Sequence, residues 1–89
     1  MEKRSVYTKR LASSIREWDA VIDGLRLQRE TASPGKAAVL RRSMVELINK
    51  RDEGLRLLDM LREADEAELP EVERQAERLM DLVASQKAA

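Results

Sequence analysis

Glu17-Trp18-Asp19-Ala20-Val21-Ile22-Asp23 holds the only tryptophan of an 89-residue chain, and its apolar positions share one helical register with the residues on either side. Tyr7, Leu11, Ser14, Trp18, Val21, Leu25, Gln28 and Ala32 alternate in steps of four and three, the seam of a heptad repeat. Ile15 and Ile22 flank that seam. A strip widened in this way suits a helix that touches two neighbours better than a narrow two-stranded zipper. Gly24 costs about 1 kcal/mol relative to alanine and does not stop the helix. The periodicity predicts helix 1 over residues 4–32, roughly 45 Å long at 1.5 Å per residue.

Ser33-Pro34-Gly35 is the first punctuation. Ser33 suits the N-cap, and Pro34 the first helical position, where a missing N–H leaves no bond unmade. The alternative is a turn at Pro34-Gly35 with a later helix start. Either way the connection is so short that the next helix must run antiparallel. The seam resumes through Leu40, Met44, Leu47, Arg51, Gly54, Leu58 and Leu61, with Ile48, Leu55 and Leu57 on its shoulders, which predicts helix 2 over residues 34–64. Closing the hairpin at Ser33 and Pro34 sets residues face to face when their numbers add to roughly 66. Trp18 is then expected against Leu47, Ile48 and Arg51, with the Arg51 guanidinium stacked on the indole or reaching Glu17.

From Glu63 to Glu73 there are six acidic residues and no basic one. Pro70 lies within this run and disfavours helical geometry at the residue before it, so a break is expected near Glu68 and Leu69. Acidic residues beside Pro70 suit a helix start. Val72, Ala76, Leu79, Met80 and Val83 give helix 3, predicted over residues 70–86, one apolar face. The tail from Ser85 to Ala89 is expected to fray. The second turn has no glycine, which leaves a rival arrangement, helices 2 and 3 as one kinked rod completing its core with a second chain. The preferred reading is a single all-α domain: a long antiparallel, coiled-coil-like hairpin plus a shorter third helix, together a three-helix bundle.

Composition narrows the chemistry. There is no cysteine and no histidine, which removes thiolate nucleophiles, imidazole bases and the usual nitrogen or sulfur metal sites. Asp19 and Asp23, one turn apart, read as a solvated face, and no catalytic residue, metal or cofactor is expected. Seventeen basic residues balance seventeen acidic ones, so binding to nucleic acid or membrane would need a local patch. No apolar run approaches the roughly 20 residues of a membrane span, and the N-terminus carries no signal-peptide pattern. The expected setting is cytoplasmic and bacterial.

The charge pattern adds two expectations. Lys3, Arg4, Lys9 and Arg10 at the start of helix 1 should face the acidic second turn if helix 3 folds back. The hairpin tip collects Arg26, Arg29, Lys36, Arg41 and Arg42 against Glu30 alone, a patch that reads first as a solvated loop end and second as a nucleic-acid or anionic-lipid contact. No aromatic residue accompanies it for base stacking. A third helix shorter than the hairpin should leave Ile22, Leu25, Leu40 and Met44 covered by only one neighbour. These four are therefore the candidate surface for self-association, a dimer being the first expectation, or for docking a partner helix.

Tyr7, then Glu17-Trp18-Asp19-Ala20-x-Ile22-Asp23-x-Leu25, then Leu47-x-x-Lys50-Arg51-Asp52-Glu53 and Leu58-x-x-Leu61-Arg62-Glu63-Ala64 resemble the small bacterial coiled-coil proteins of a stress-response family. The resemblance runs without gaps from Tyr7 to Ala67. Members of that family carry another tryptophan after the second turn, where this chain has Glu68-Leu69-Pro70. It implies a cytoplasmic helical protein linked to stress, with no established enzymatic activity and no catalytic residue to transfer. A competing class is the all-helical chorismate mutase type, of similar length and helix count. Its dicarboxylate clamp would have to come from Arg16, Arg29 and Arg51 with Lys36, and their spacing does not match that site.

Overall fold

The computed structural model describes residues 3–88 along the backbone and the side chains of residues 6–86. Three helices follow one another, α1 (Lys3–Glu30), α2 (Pro34–Glu63) and α3 (Leu69–Ala88). They pack as a bundle measuring 50 × 19 × 18 Å, and every pair of helices is in contact. Helix 3 folds back on the hairpin; the kinked rod is not formed.

At the first turn the amides of Thr31 and Ala32 donate to the carbonyls of Gln28 and Arg29 at 3.3 and 3.4 Å, so α1 tightens before it stops. Ser33 is extended, with φ −65° and ψ 161°. Its carbonyl accepts the Ala37 amide at 2.7 Å, and Pro34 occupies the start of α2 as expected. The Ser33 hydroxyl makes no capping hydrogen bond.

At the second turn α2 ends before Ala64, which is extended at φ −63° and ψ 141°. The break thus comes earlier than Glu68 and Leu69. The chain restarts through a reciprocal cap: the Glu68 amide donates to Asp65 Oδ1 at 2.9 Å, and the Asp65 amide donates to Glu68 Oε1 at 3.4 Å. Two amides at the start of α3 are satisfied together in this way. The Leu69 amide bonds the Asp65 carbonyl at 2.9 Å, so helical bonding begins at the cap. Pro70 falls in the first turn, where it is tolerated. The cap makes a glycine unnecessary, and it explains how an acidic, glycine-free segment reverses the chain. At the other end α3 stays helical through Ala88, past Ser85, where fraying was expected; Ala89 lies outside the described residues.

One core cluster joins all three helices: Leu11, Ile15 and Trp18 from α1, Leu57, Leu58 and Leu61 from α2, and Val72, Ala76, Leu79 and Val83 from α3, with Ala64 between. Trp18 is 3% exposed and shares this cluster with Val83, the last buried side chain of α3. The buried line on α1 differs from the heptad seam. It runs Leu11, Ile15, Trp18, Ile22, while Val21 is exposed. An unsupercoiled helix drifts by about 20° per heptad, so over this length the Tyr7, Ser14, Val21, Gln28 line rotates away from the core and Ile22 rotates in. On α2 the shoulders also separate, Leu57 being buried and Leu55 exposed.

The register of the hairpin is set by Gly54. A Cβ placed there would lie 3.1 Å from Trp18 Cζ3 and 3.2 and 3.3 Å from Ile15 Cγ1 and Cδ1. The indole therefore fills the space that a side chain at residue 54 would occupy. Trp18 lies nearly two helical turns from the position expected against Leu47 and Ile48. Leu47 is partly buried against the core cluster, and Ile48 is half-buried. The added length sits at the tip, where the hairpin pivots inside the first turn of α2 rather than at Ser33 and Pro34.

Equilibrium urea unfolding of three variants checks this packing. Trp18→Ala is expected to lose about 3–5 kcal/mol. Gly54→Leu overfills the same layer and is expected to lose roughly 1–3 kcal/mol. Gly24→Ala, at a glycine whose added Cβ meets nothing within 4 Å, is expected to gain up to about 1 kcal/mol. The cap is tested separately. Asp65→Ala should cost about 1 kcal/mol and speed amide exchange in the first turn of α3; unchanged exchange there would show that the cap is dispensable.

Candidate functional site

Two helices alone build the distal part of the molecule. Twenty residues of α3 cover about 30 Å, against about 45 Å for α2, so roughly 15 Å of hairpin extends beyond it. Ile22 and Met44 are nevertheless only 1% and 8% exposed. The sequence placed them on the surface covered by one neighbour only, and that placement is corrected: both are buried, and in the register that sets Trp18 against Gly54 they stand at different heights of the hairpin and do not face each other. They lie outside the main core cluster. Leu25 and Leu40 are half-buried. The apolar side chains left in solvent are others, Leu27 at 65%, Val39 at 60% and Val45 at 46%. Seam reasoning could not find them, because they stand off the seam.

The tip is basic and open. Arg26, Arg29, Lys36, Arg41 and Arg42 are all exposed. Arg26 pairs with Asp23 at 3.2 Å; among the described residues the other four have no ion-pair partner. Ala38, Arg41, Arg42, Val45 and Glu46 line a shallow depression there, which places guanidinium and apolar groups side by side.

Arg51 is a structural node. Its Nη1 donates to Asp19 Oδ1 at 3.0 Å across the hairpin, and its Nη2 donates to Asp52 Oδ1 at 3.1 Å. Hydrogen bonds to Asp19 first and Asp52 second, against a small opposing cost of burial, raise the Arg51 pKa above its ordinary value. The carboxylate partner across the hairpin is thus Asp19, in keeping with the shifted register. A cation–π contact does occur, but between Arg10 and Tyr7, whose ring centroid is 5.5 Å from the guanidinium carbon. Arg10 also meets Glu77 of α3 at 3.2 Å. It had been expected against the acidic turn; the fold-back carries it past that turn to the middle of α3. Lys9 is exposed, and the side chains of Lys3 and Arg4 lie outside the described residues.

The acidic elbow carries a groove of about 440 Å³, lined by Met60, Glu63, Ala64, Glu68, Glu71, Val72 and Gln75. Its floor is apolar and its rim carboxylate. Glu71 bonds Arg74 and Gln75, and Glu68 caps α3, while Glu63 and Glu66 have no ion-pair partner among the described residues. The charge run in the sequence signalled the rim. The floor needed the fold, since Met60 and Val72 come from different helices.

Arg16 and Arg29 stand about 20 Å apart along α1, and Arg51 is committed to Asp19, so the structure does not assemble the dicarboxylate clamp. Among the described residues no group of three or more acidic side chains is placed to hold a metal ion, and no helix is long and apolar enough to cross a membrane. No protein-family model, curated protein sequence or solved structure matches the chain.

Arg51 and Asp19 are partly exposed, at 29% and 50% of their side-chain surface, so their pairing fixes register more than it adds stability. A double-mutant cycle with Arg51→Met and Asp19→Asn is expected to give a coupling below about 1 kcal/mol. A larger coupling, read by urea unfolding, would mark the pair as a main stabilising contact.

Proposed function

We propose that the chain is a non-enzymatic helical protein that acts by association, forming a homo-oligomer, in the first instance a dimer, through the distal half of its hairpin. The observation that carries this reading is the exposure of Leu27, Val39 and Val45 on the two-helix section beyond α3. Val6, Val21, Leu55 and Leu82 are exposed elsewhere on the molecule, but Leu27 and Val39 are the two most exposed large apolar side chains among the described residues, and apolar surface left in water favours contact with another surface. The size of the chain points the same way, because a domain of 89 residues buries a limited core and gains from a partner. A net charge of zero leaves no overall repulsion between copies. The resemblance of the Trp18 and Arg51 segments to a bacterial stress-response family supports a cytoplasmic, stress-related role for that association.

Sedimentation velocity over a concentration series tests it. The expected result is a species of twice the 10.2 kDa chain mass. Leu27→Glu combined with Val39→Glu, both exposed and so compatible with folding, should return the mass to 10.2 kDa. A wild-type chain that remains at 10.2 kDa up to millimolar concentration would overturn the reading.

A further inference from the structure

The hairpin tip and the elbow groove carry opposite charge, lie at opposite ends of the molecule and cannot reach one another. At the tip, Arg29, Lys36, Arg41 and Arg42 stand without ion-pair partners among the described residues, next to exposed Val39 and Val45. At the elbow, Glu63, Glu68 and Glu71 rim a groove floored by Met60, Ala64 and Val72. Each end offers what the other lacks: exposed apolar side chains with cationic heads on one, an apolar floor with a carboxylate rim on the other. The bundle is 50 Å long, several times the screening length of about 8–10 Å at physiological salt. Within one chain the ends therefore do not compensate each other.

We infer that the occupant of the elbow groove is the basic tip of a second copy of this chain, the two copies lying side by side and antiparallel. This rests on the association reading above and adds to it the surface on which the distal hairpin lands. An antiparallel pair brings each tip to the partner's elbow, so the same contact forms twice about one two-fold axis and the assembly closes. Closure makes the second contact intramolecular once the first has formed, which multiplies two individually weak contacts. It also satisfies the unpaired charges at both ends without changing the net charge of the chain.

Charge exchange between the ends tests the pairing. Arg41→Glu with Arg42→Glu reverses the tip; Glu63→Lys with Glu66→Lys reverses the elbow and leaves the Asp65–Glu68 cap in place. All four residues are exposed, and circular dichroism verifies the helices. Each reversed protein alone should dimerise at least roughly tenfold more weakly than wild type, with the wild-type affinity itself falling as salt is raised. An equimolar mixture of the two reversed proteins should restore the dimer, since each tip then meets an elbow of opposite sign. A chain carrying all four changes should restore it as well. If wild type dimerises and the reversed proteins match it, the tip-on-elbow pairing is overturned while association stands, and the basic tip is left to an anionic ligand. If the reversed proteins weaken but neither the mixture nor the fourfold variant recovers, the pairing is likewise overturned. If wild type never dimerises, the association reading falls with it.

Discussion

The packing of Trp18 against Gly54 is the constraint on which the rest of the bundle depends. An indole is the largest side chain in the core, and the facing helix offers the one residue without a Cβ at the layer it enters. Large against small fixes the relative height of α1 and α2, because sliding by a turn would drive the ring into a leucine or an arginine. Once that height is set, Arg51 reaches Asp19, Ile22 and Met44 are buried, and the hairpin pivot moves into the first turn of α2. The loop accommodates the register; it does not choose it.

A second constraint acts at the elbow. An acidic segment with proline and no glycine has no obvious means of turning, yet Asp65 and Glu68 bond each other's backbone amides. That cap starts α3 in the direction that lays Val72, Ala76, Leu79 and Val83 over the hairpin. The aspartate and glutamate are therefore local architecture as well as charge. The same carboxylate run, through Glu63, Glu68 and Glu71, forms the rim of the elbow groove. Folding and surface chemistry draw on one stretch of chain.

The distribution of charge matters more here than its sum. Zero net charge conceals a basic hairpin tip and, at the opposite end of the bundle, a groove rimmed by carboxylates. Near the middle the charges are matched within the chain, as in Arg10 with Glu77, Arg51 with Asp19, and Arg56 with Glu53. At the tip Arg29, Lys36, Arg41 and Arg42, and at the elbow Glu63 and Glu66, have no ion-pair partner among the described residues. Arg10 with Glu77 and Arg51 with Asp19 tie one helix to another, and the unpaired charges face outward, where another molecule can complete them.

Helical periodicity, proline and serine placement, and the absence of cysteine and histidine were enough to determine an all-α chain of three helices, their boundaries within a few residues, and most of the core of α2 and α3. These properties are local, set by backbone propensity and the spacing of apolar residues, and so are readable along one strand of text. The basic tip was equally legible, since exposure of charged residues at a hairpin end follows from solvation alone. Residues whose environment depends on a second helix were not. Whether Val21 or Ile22 is buried, whether Trp18 meets Leu47 or Gly54, and whether Arg51 finds Glu17 or Asp19 all turn on the height of one helix against another. Close packing across the hairpin decided that height, because a glycine's missing side chain is a cavity only when a tryptophan stands opposite, and no spacing within a single helix records what stands opposite.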